Sequence, residues 1–196
     1  MNYVKSFFAL SLLAFVGFAF TEAVTVSVDT NASEITWKGY KVTGEHAGTI
    51  VVKDGNFVYE DNVLKGGSFE IDMTSITCTD LTGEYADKLV GHLKSDDFFG
   101  VATYPTAKFV ITKVASRGKA GEYKVTGDLT IKETTKEIKF NANVDASSGV
   151  PVATADITID RSDFNVRYGS GSFFDNLGDK TIYDEFDLGL KLVGKQ

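Results

Sequence analysis

The sequence holds one cysteine, Cys78, so no disulfide can form within the chain. A stable fold must come from core size and closure of the sheet rather than from cross-links. Histidine is almost as scarce: His46 and His92 are the only two. With no Cys-x-x-Cys and no His-x-x-x-His, a zinc site would need residues from distant parts of the chain. No Gly-x-Ser-x-Gly elbow is present, and Gly169-Ser170-Gly171-Ser172 fits no dinucleotide fingerprint. Positive charge is in deficit. The net charge of −7 argues against nucleic acid and against electrostatic docking on anionic lipid. Acidic residues gather at Asp175, Asp179, Asp184, Glu185 and Asp187 without the alternating loop and closing Glu of a calcium hand, which reads as a solvated face. Asn31-Ala32-Ser33 is a chance-level glycosylation sequon.

The one long apolar run lies at the start. Lys5 precedes 14 residues, Phe7 to Phe20, too short to span a bilayer as a helix but suited to a secretory leader. Cleavage is expected after Ala23, with Ala19 as the alternative. The organisation is then a signal peptide over 1–23 and one domain over 24–196. Loss of the leader removes Lys5 and Glu22 together, so the charge is unchanged, and about 170 residues remain, enough for one sizeable core.

In that domain the pattern is alternation. Val24, Val26 and Val28 share a parity, as do Ile35, Trp37 and Gly39. His46, Gly48, Ile50 and Val52 follow, then a turn at Gly55, then Phe57 and Tyr59. Phe69, Ile71 and Met73 repeat the pattern. So do Phe109 and Ile111, Tyr123 to Ile131, Ile138 to Val144, Ala153 to Ile159, and Phe186 to Leu192. Turns are expected at Arg117–Gly121 and at Glu133-Thr134-Thr135-Lys136. Leu81, Tyr85, Leu89 and Leu93 are spaced by four and predict one amphipathic helix over 80–93, capped by Asp80. Ser95 is expected to cap the turn that follows, before Phe98 and Phe99 form an apolar plug and Tyr104-Pro105 opens the next strand.

Eight or so amphipathic strands with one inserted helix predict an all-β, antiparallel barrel, with a sandwich as the second choice. Small residues on the inner parity, Gly39, Gly48, Gly127, Ala142, Ala153 and Ala155, allow either an internal cavity or tight strand bends.

Several segments in this order resemble one family. They are Trp37-x-Gly39-x-Lys41-x-x-Gly44-x-His46-x-Gly48, Phe69-x-Ile71-Asp72-Met73, the run from His92 to Phe109, Gly127-Asp128-Leu129-Thr130-Ile131-Lys132, and Asp160-Arg161-Ser162-Asp163-Phe164-Asn165-Val166. Together they resemble the YceI-like family of secreted lipid-binding proteins. Gly100 departs from it, standing where an acidic residue is expected. The resemblance implies a lipocalin-like barrel, no catalytic activity and no cofactor. Its ligand would be a long isoprenoid or quinone-like lipid, and its compartment periplasmic or else extracellular. An amphiphilic lipid is the expected partner. Nucleic acid and stable membrane insertion after cleavage are not expected, and a homodimer is allowed.

The residues expected to line the cavity are Trp37, Phe69, Ile71, Leu89, Phe98, Phe109, Ile111, Leu129, Ile131, Phe140, Ile157, Ile159, Leu188 and Leu190. Lys41 and His46 share the inner parity near one mouth. There they either hold a polar head or pair with Glu70, Asp72 or another acid, and Lys41 can also extend into solvent. Arg161 and Asp163 read as an ion pair closing a turn, or Arg161 faces the head. Cys78 reads as a small half-buried residue or a reactive thiol. Two competing functions remain open: a hydrolase-like or inhibitor protein using His92 with Asp96 or Asp97, and a structural or stress-response barrel whose interior is full.

Overall fold

The computed structural model describes residues 22–195; the expected leader lies outside these residues apart from its last two positions. Nine strands follow in chain order, β1 (Val24–Ser27), β2 (Glu34–Lys41), β3 (Gly44–Glu60), β4 (Val63–Asp72), β5 (Thr106–Ser116), β6 (Glu122–Ile131), β7 (Thr134–Asp145), β8 (Val152–Asp160) and β9 (Ile182–Val193). All pairings are antiparallel. Neighbours run β3-β2-β9-β8-β7-β6-β5-β4, and β4 pairs back onto β3, so eight strands close a barrel. Strand β1 lies outside that circuit, along the far half of β3. Closure gives every barrel strand a neighbour on both sides, which supplies stability that disulfides cannot. The expected barrel is therefore the fold.

The apolar parity faces inward in every barrel strand, but β-bulges shift its phase. The expected turn at Gly55 is absent. β3 runs unbroken to Glu60, and the pairing with β4 shifts between Val52 and Asp54. Lys53 and Asp54 both point out there, so Val52 and Gly55 both point in. One extra outward residue moves the inner parity from even to odd numbers and tightens the coil of the sheet. The chain turns instead at Asp61-Asn62, both left-handed (φ 50° and 61°). The turn expected over Glu133–Lys136 is also shorter: only Lys132 and Glu133 lie between β6 and β7, with Lys132 at φ 56°.

One helix, α1 (Gly83–Lys94), crosses the end of the barrel between β4 and β5. It begins three residues later than expected, with Thr82 at its N-cap position and no side-chain cap bond. The Asp80 carboxylate is instead engaged by His46, Cys78 and the Ala47 N–H. Ser95 caps by donating its hydroxyl to the His92 carbonyl rather than by accepting an N–H. The plug then folds on itself. Phe98 N–H and Gly100 N–H both bond the Ser95 carbonyl, and Tyr104 N–H bonds Gly100. Gly100 adopts φ 57°, a conformation that glycine enters without a Cβ penalty, which accounts for glycine at the position where an acidic residue is expected.

The opposite end is sealed by Tyr59, Leu64, Tyr123, Val144 and Leu192, all buried. Among the described residues no helix is long and apolar enough to cross a membrane.

Candidate functional site

The barrel is not full. A cavity of about 360 Å³ runs inside it, within the size range of small-molecule sites. Each wall contributes the residues expected from parity: Trp37 and Lys41 from β2, His46 from β3, Phe69 and Ile71 from β4, and Phe109 and Ile111 from β5. Leu129 and Ile131 come from β6, Phe140 from β7, Ile157 and Ile159 from β8, and Leu188 and Leu190 from β9. Leu89 of α1 and Phe98 of the plug close the near end.

Sequence reasoning missed further wall residues. Ile138 and Phe186 share the apolar parity of their strands and were within reach of the same argument. Ile76 follows β4 in irregular chain and Ile182 precedes an irregularity in the β2–β9 pairing, so neither carries a periodic signal.

The small inner residues divide between the two readings. Gly39 borders open space and, with Ala142, Ala153 and Ala155, leaves volume at the wall. Gly127 does not. A methyl there would sit 2.4 Å from the Phe109 ring and 2.5 Å from the Val110 carbonyl. Gly48 is likewise covered by the Trp37 indole, whose Nε1 donates to the Thr77 carbonyl at 3.0 Å. Both are close-approach glycines. A larger side chain at Gly127 would therefore break the wall rather than fill the cavity.

Basic groups on the wall are few, and their placement is one-sided. Among the described residues no aspartate or glutamate lines the cavity, although the protein is acidic overall. Lys41, His46, His92 and Arg161 do line it, all at the helix end. Lys41 pairs in register with Ile182, whose carbonyl accepts from Arg161 Nη2 at 2.9 Å. Phe98 packs against both Arg161 and His92, with the Arg161 guanidinium 5.2 Å from its centroid and the His92 ring 5.7 Å away.

These four groups differ in what holds them. Arg161 is 2% exposed and is engaged throughout: Nε to the Tyr183 carbonyl, Nη1 to Val166 at 2.6 Å, and Nη2 to Ile182 and, at 3.3 Å, to Asp184. Burial lowers its pKa, and Asp184 and Asp160 oppose that shift. The expected Arg161–Asp163 pair does not form; Asp163 meets Lys136 at 3.7 Å instead. His46 Nδ1 lies 2.9 Å from Asp80. Desolvation would raise the Asp80 carboxyl. Hydrogen bonds from Ala47 N–H, His46 and Cys78 outweigh it and hold the carboxyl at about 2. The acid that pairs with His46 is thus Asp80 rather than Glu70 or Asp72; Glu70 is held by Lys53 at 2.7 Å and Asp72 by Thr74. Cys78 is half-buried, and its thiol points at Asp80 at 3.2 Å.

The other two have spare donors. Among the described residues the Lys41 side chain has no ion pair or hydrogen-bond partner, although it lines the cavity. His92 packs edge-on to Phe98 and Tyr168, and its Nε2 is buried without a partner. It makes no hydrogen bond with Asp96 or Asp97, so the dyad of a hydrolase-like reading is not assembled. No cluster of potential metal ligands occurs among the described residues.

The chain matches a family model described as the YceI-like domain over residues 27–193. A UPF0312 protein of Pseudomonas putida (strain W619) is 30% identical over 176 residues, covering 83% of this chain and 88% of that one. Among solved structures, Burkholderia cenocepacia BcnA superposes with a TM-score of 0.67 at 24% identity, covering 86% of this chain and 99% of that one. A polyisoprenoid binding domain from Saccharophagus degradans, described as implicated in plant cell wall breakdown, superposes at 0.66 with 17% identity over 89% of this chain and 99% of its own. At these identities the structural likeness speaks for the barrel alone.

Proposed function

The chain belongs to the YceI-like family, and from that premise we propose that it is an exported carrier that holds a long amphiphilic lipid inside the barrel. The observation that carries this reading is the cavity: mostly apolar, without carboxylates among the described residues, and with its basic side chains gathered at one end. An isoprenoid chain gains about 25 cal/mol for each Å² of apolar surface it removes from water, and the wall of Phe, Leu and Ile accepts it without polar cost. The S. degradans domain is described as binding polyisoprenoid, which favours that chain over a fatty acid. The leader expected over residues 1–23 supports a periplasmic or extracellular site of action.

The head of such a lipid sits best at the helix end. Lys41 Nζ and His92 Nε2 bring donors that no protein group uses, and Arg161 adds positive charge behind them. A phosphate or quinone carbonyl answers those donors. A bare hydrocarbon would leave the His92 nitrogen unpaired.

The test is Lys41→Met, read against two ligands of equal chain length, a prenyl phosphate and a head-less prenyl hydrocarbon. A hydrogen bond to a charged group contributes about 1.5–3 kcal/mol, so phosphate affinity should fall roughly ten- to hundredfold while the hydrocarbon is unaffected. Equal loss for both with a lowered Tm would return Lys41 to the framework and leave the head without its main contact.

A further inference from the structure

The barrel wall is joined by the fewest pairs between β7 and β8; the next shortest ladder, β4–β5, keeps five, from Ser68–Val110 to Asp72–Thr106. Strand β8 pairs with β9 along its whole length, from Val152 to Asp160. Strand β7 pairs with β6 from Thr134 to Asn143. Between β7 and β8, however, only Asn143–Thr154, Val144–Ala153 and Asp145–Val152 are in register. Above those pairs the strands diverge: residues 134–142 and 155–160 share no ladder, and no backbone hydrogen bond crosses between them. One ion pair spans the top of the gap, Lys136 to Asp163 at 3.7 Å, between groups that are both about half exposed.

The cavity lies directly behind this seam. Ile138, Phe140 and Ala142 on one lip and Ala155, Ile157 and Ile159 on the other all line it. In front of its lower part is an outer groove whose polar rim includes Asn141, Asn143, Thr154, Asp156, Glu34 and Lys191. Groove and cavity share Thr154, Ala155 and Leu190, so the wall there is one residue thick.

We propose that the β7–β8 seam is the access site for the lipid chain, which enters the barrel sideways between 134–142 and 155–160. The proposal rests on the carrier reading above. Opening here breaks no ladder bond; it parts side-chain contacts and one exposed ion pair, which adds little to stability. Six unpaired residues on β8 at about 3.3 Å each make a slot roughly 20 Å long, so an extended chain can pass along its length at once. Both ends of the barrel resist more. At the helix end, lifting α1 means withdrawing the plug, because Phe99 N–H and Val101 N–H bond the last carbonyls of the helix and Phe98 packs against both Arg161 and His92. The segment leading into α1 is tied down by the bonds from Ala47 N–H and His46 to Asp80. At the far end Tyr59, Leu64, Tyr123, Val144 and Leu192 are all buried, so an opening there parts core packing.

The experiment closes the seam. In a Cys78→Ser background, Asn141→Cys and Asp156→Cys place thiols on the outer faces of the two lips, and a short bifunctional thiol reagent links them. The probe is a benzoquinone bearing two isoprene units, followed through quenching of Trp37, the only tryptophan and a cavity residue. The linked protein should take up and release the quinone about tenfold or more slowly than the same variant with its thiols singly blocked, with Kd little changed, as expected when a gate rather than a site is altered. Lys136→Gln, which needs no linkage, should speed exchange about twofold by removing the tie across the seam. Unchanged uptake and release in the linked protein would overturn the proposal and put the entrance at the helix end. If the unlinked protein and the parent both fail to bind the quinone, the carrier reading falls, and the seam loses its role as a lipid entrance with it.

Discussion

The two ends of the barrel are built on different principles. The far end is dry. Tyr59, Leu64, Tyr123, Val144 and Leu192 fill it, and the Tyr59 hydroxyl is buried with no hydrogen-bond partner. The helix end is polar. It holds Arg161 at 2% exposure with three carbonyls and a carboxylate around it, the His46–Asp80 pair, and the donors of Lys41 and His92. The far end tolerates one unsatisfied hydroxyl because apolar packing dominates there. The helix end keeps its most deeply buried charge, Arg161, because three carbonyls and Asp184 surround it. A closed barrel needs one end of the first kind. An end of the second kind suits an amphiphile, whose apolar tail takes the interior and whose polar head stays near the donors.

The sharpest way to break this comparison is Arg161→Met. The substitution leaves the carbonyls of Val166, Ile182 and Tyr183 without a donor and Asp184 without its cation. Loss of one partner from a buried pair typically costs about 3–5 kcal/mol, so chemical denaturation should show a midpoint far below that of the parent. A shift within experimental error would mean that the helix end does not depend on its buried charge.

The middle of the barrel gives the next largest effect. Ala155→Leu adds volume to the cavity wall where the parent has room. Stability should change by less than about 1.5 kcal/mol, because the added carbons enter open space rather than a filled core. Quinone affinity should drop at least about tenfold, equivalent to about 1.4 kcal/mol. Undiminished affinity in the folded variant would place the chain elsewhere.

Acid separates the ends without mutation. Asp80 is held at about 2 in the folded protein, below an ordinary aspartate near 3.9. A depressed carboxyl contributes stability that is complete above the unfolded value and is lost as pH falls through the folded one. Stability should therefore decline between about pH 4 and 2. In Asp80→Asn that part of the decline should be absent. Asp80 is partly exposed, which keeps the effect small. Identical acid profiles would show that the link between His46 and the segment before α1 adds nothing.

The smallest effect lies at the far end. Burial pushes the Tyr59 hydroxyl up to about 12. A raised phenol stays neutral in the fold but ionises in the unfolded chain, so its contribution is lost as pH rises from about 10 toward 12. Because the hydroxyl has no partner, Tyr59→Phe should leave Tm unchanged or slightly raised at neutral pH and flatten the alkaline decline. A drop of several degrees would mean that a water or another group satisfies it.

Alternation made the strands legible because every barrel strand has one wet and one dry face. The cavity wall followed from the same rule: the chosen residues of Phe69, Leu129 or Leu188 type need only point inward to reach it. What alternation hides is where its phase slips. Lys53-Asp54-Gly55 looks like a turn because two polar residues precede a glycine, and only pairing with β4 makes it a bulge. The use of Asp80 was hidden for a related reason. Its side chain suits a helix cap, yet β3 offers it a histidine and an amide from 34 and 33 residues upstream. The partner of Arg161 was out of reach too, since Asp163 is two residues away and Asp184 lies across a long excursion of chain. Gly127 shows the limit in reverse. A small inner residue can mean empty space or a ring already in contact, and Phe109 decides between them. The β7–β8 seam has no signature at all, because both strands alternate as if fully paired.

The most direct test of the carrier reading is to purify the protein from the cells that make it, extract it with organic solvent and identify the extract by mass spectrometry. The account predicts close to one equivalent of a polyprenyl lipid per chain, and a protein whose Trp37 fluorescence responds when that lipid is returned. An extract with no stoichiometric lipid, together with Trp37 emission indifferent to prenyl quinones and prenyl phosphates, would contradict it.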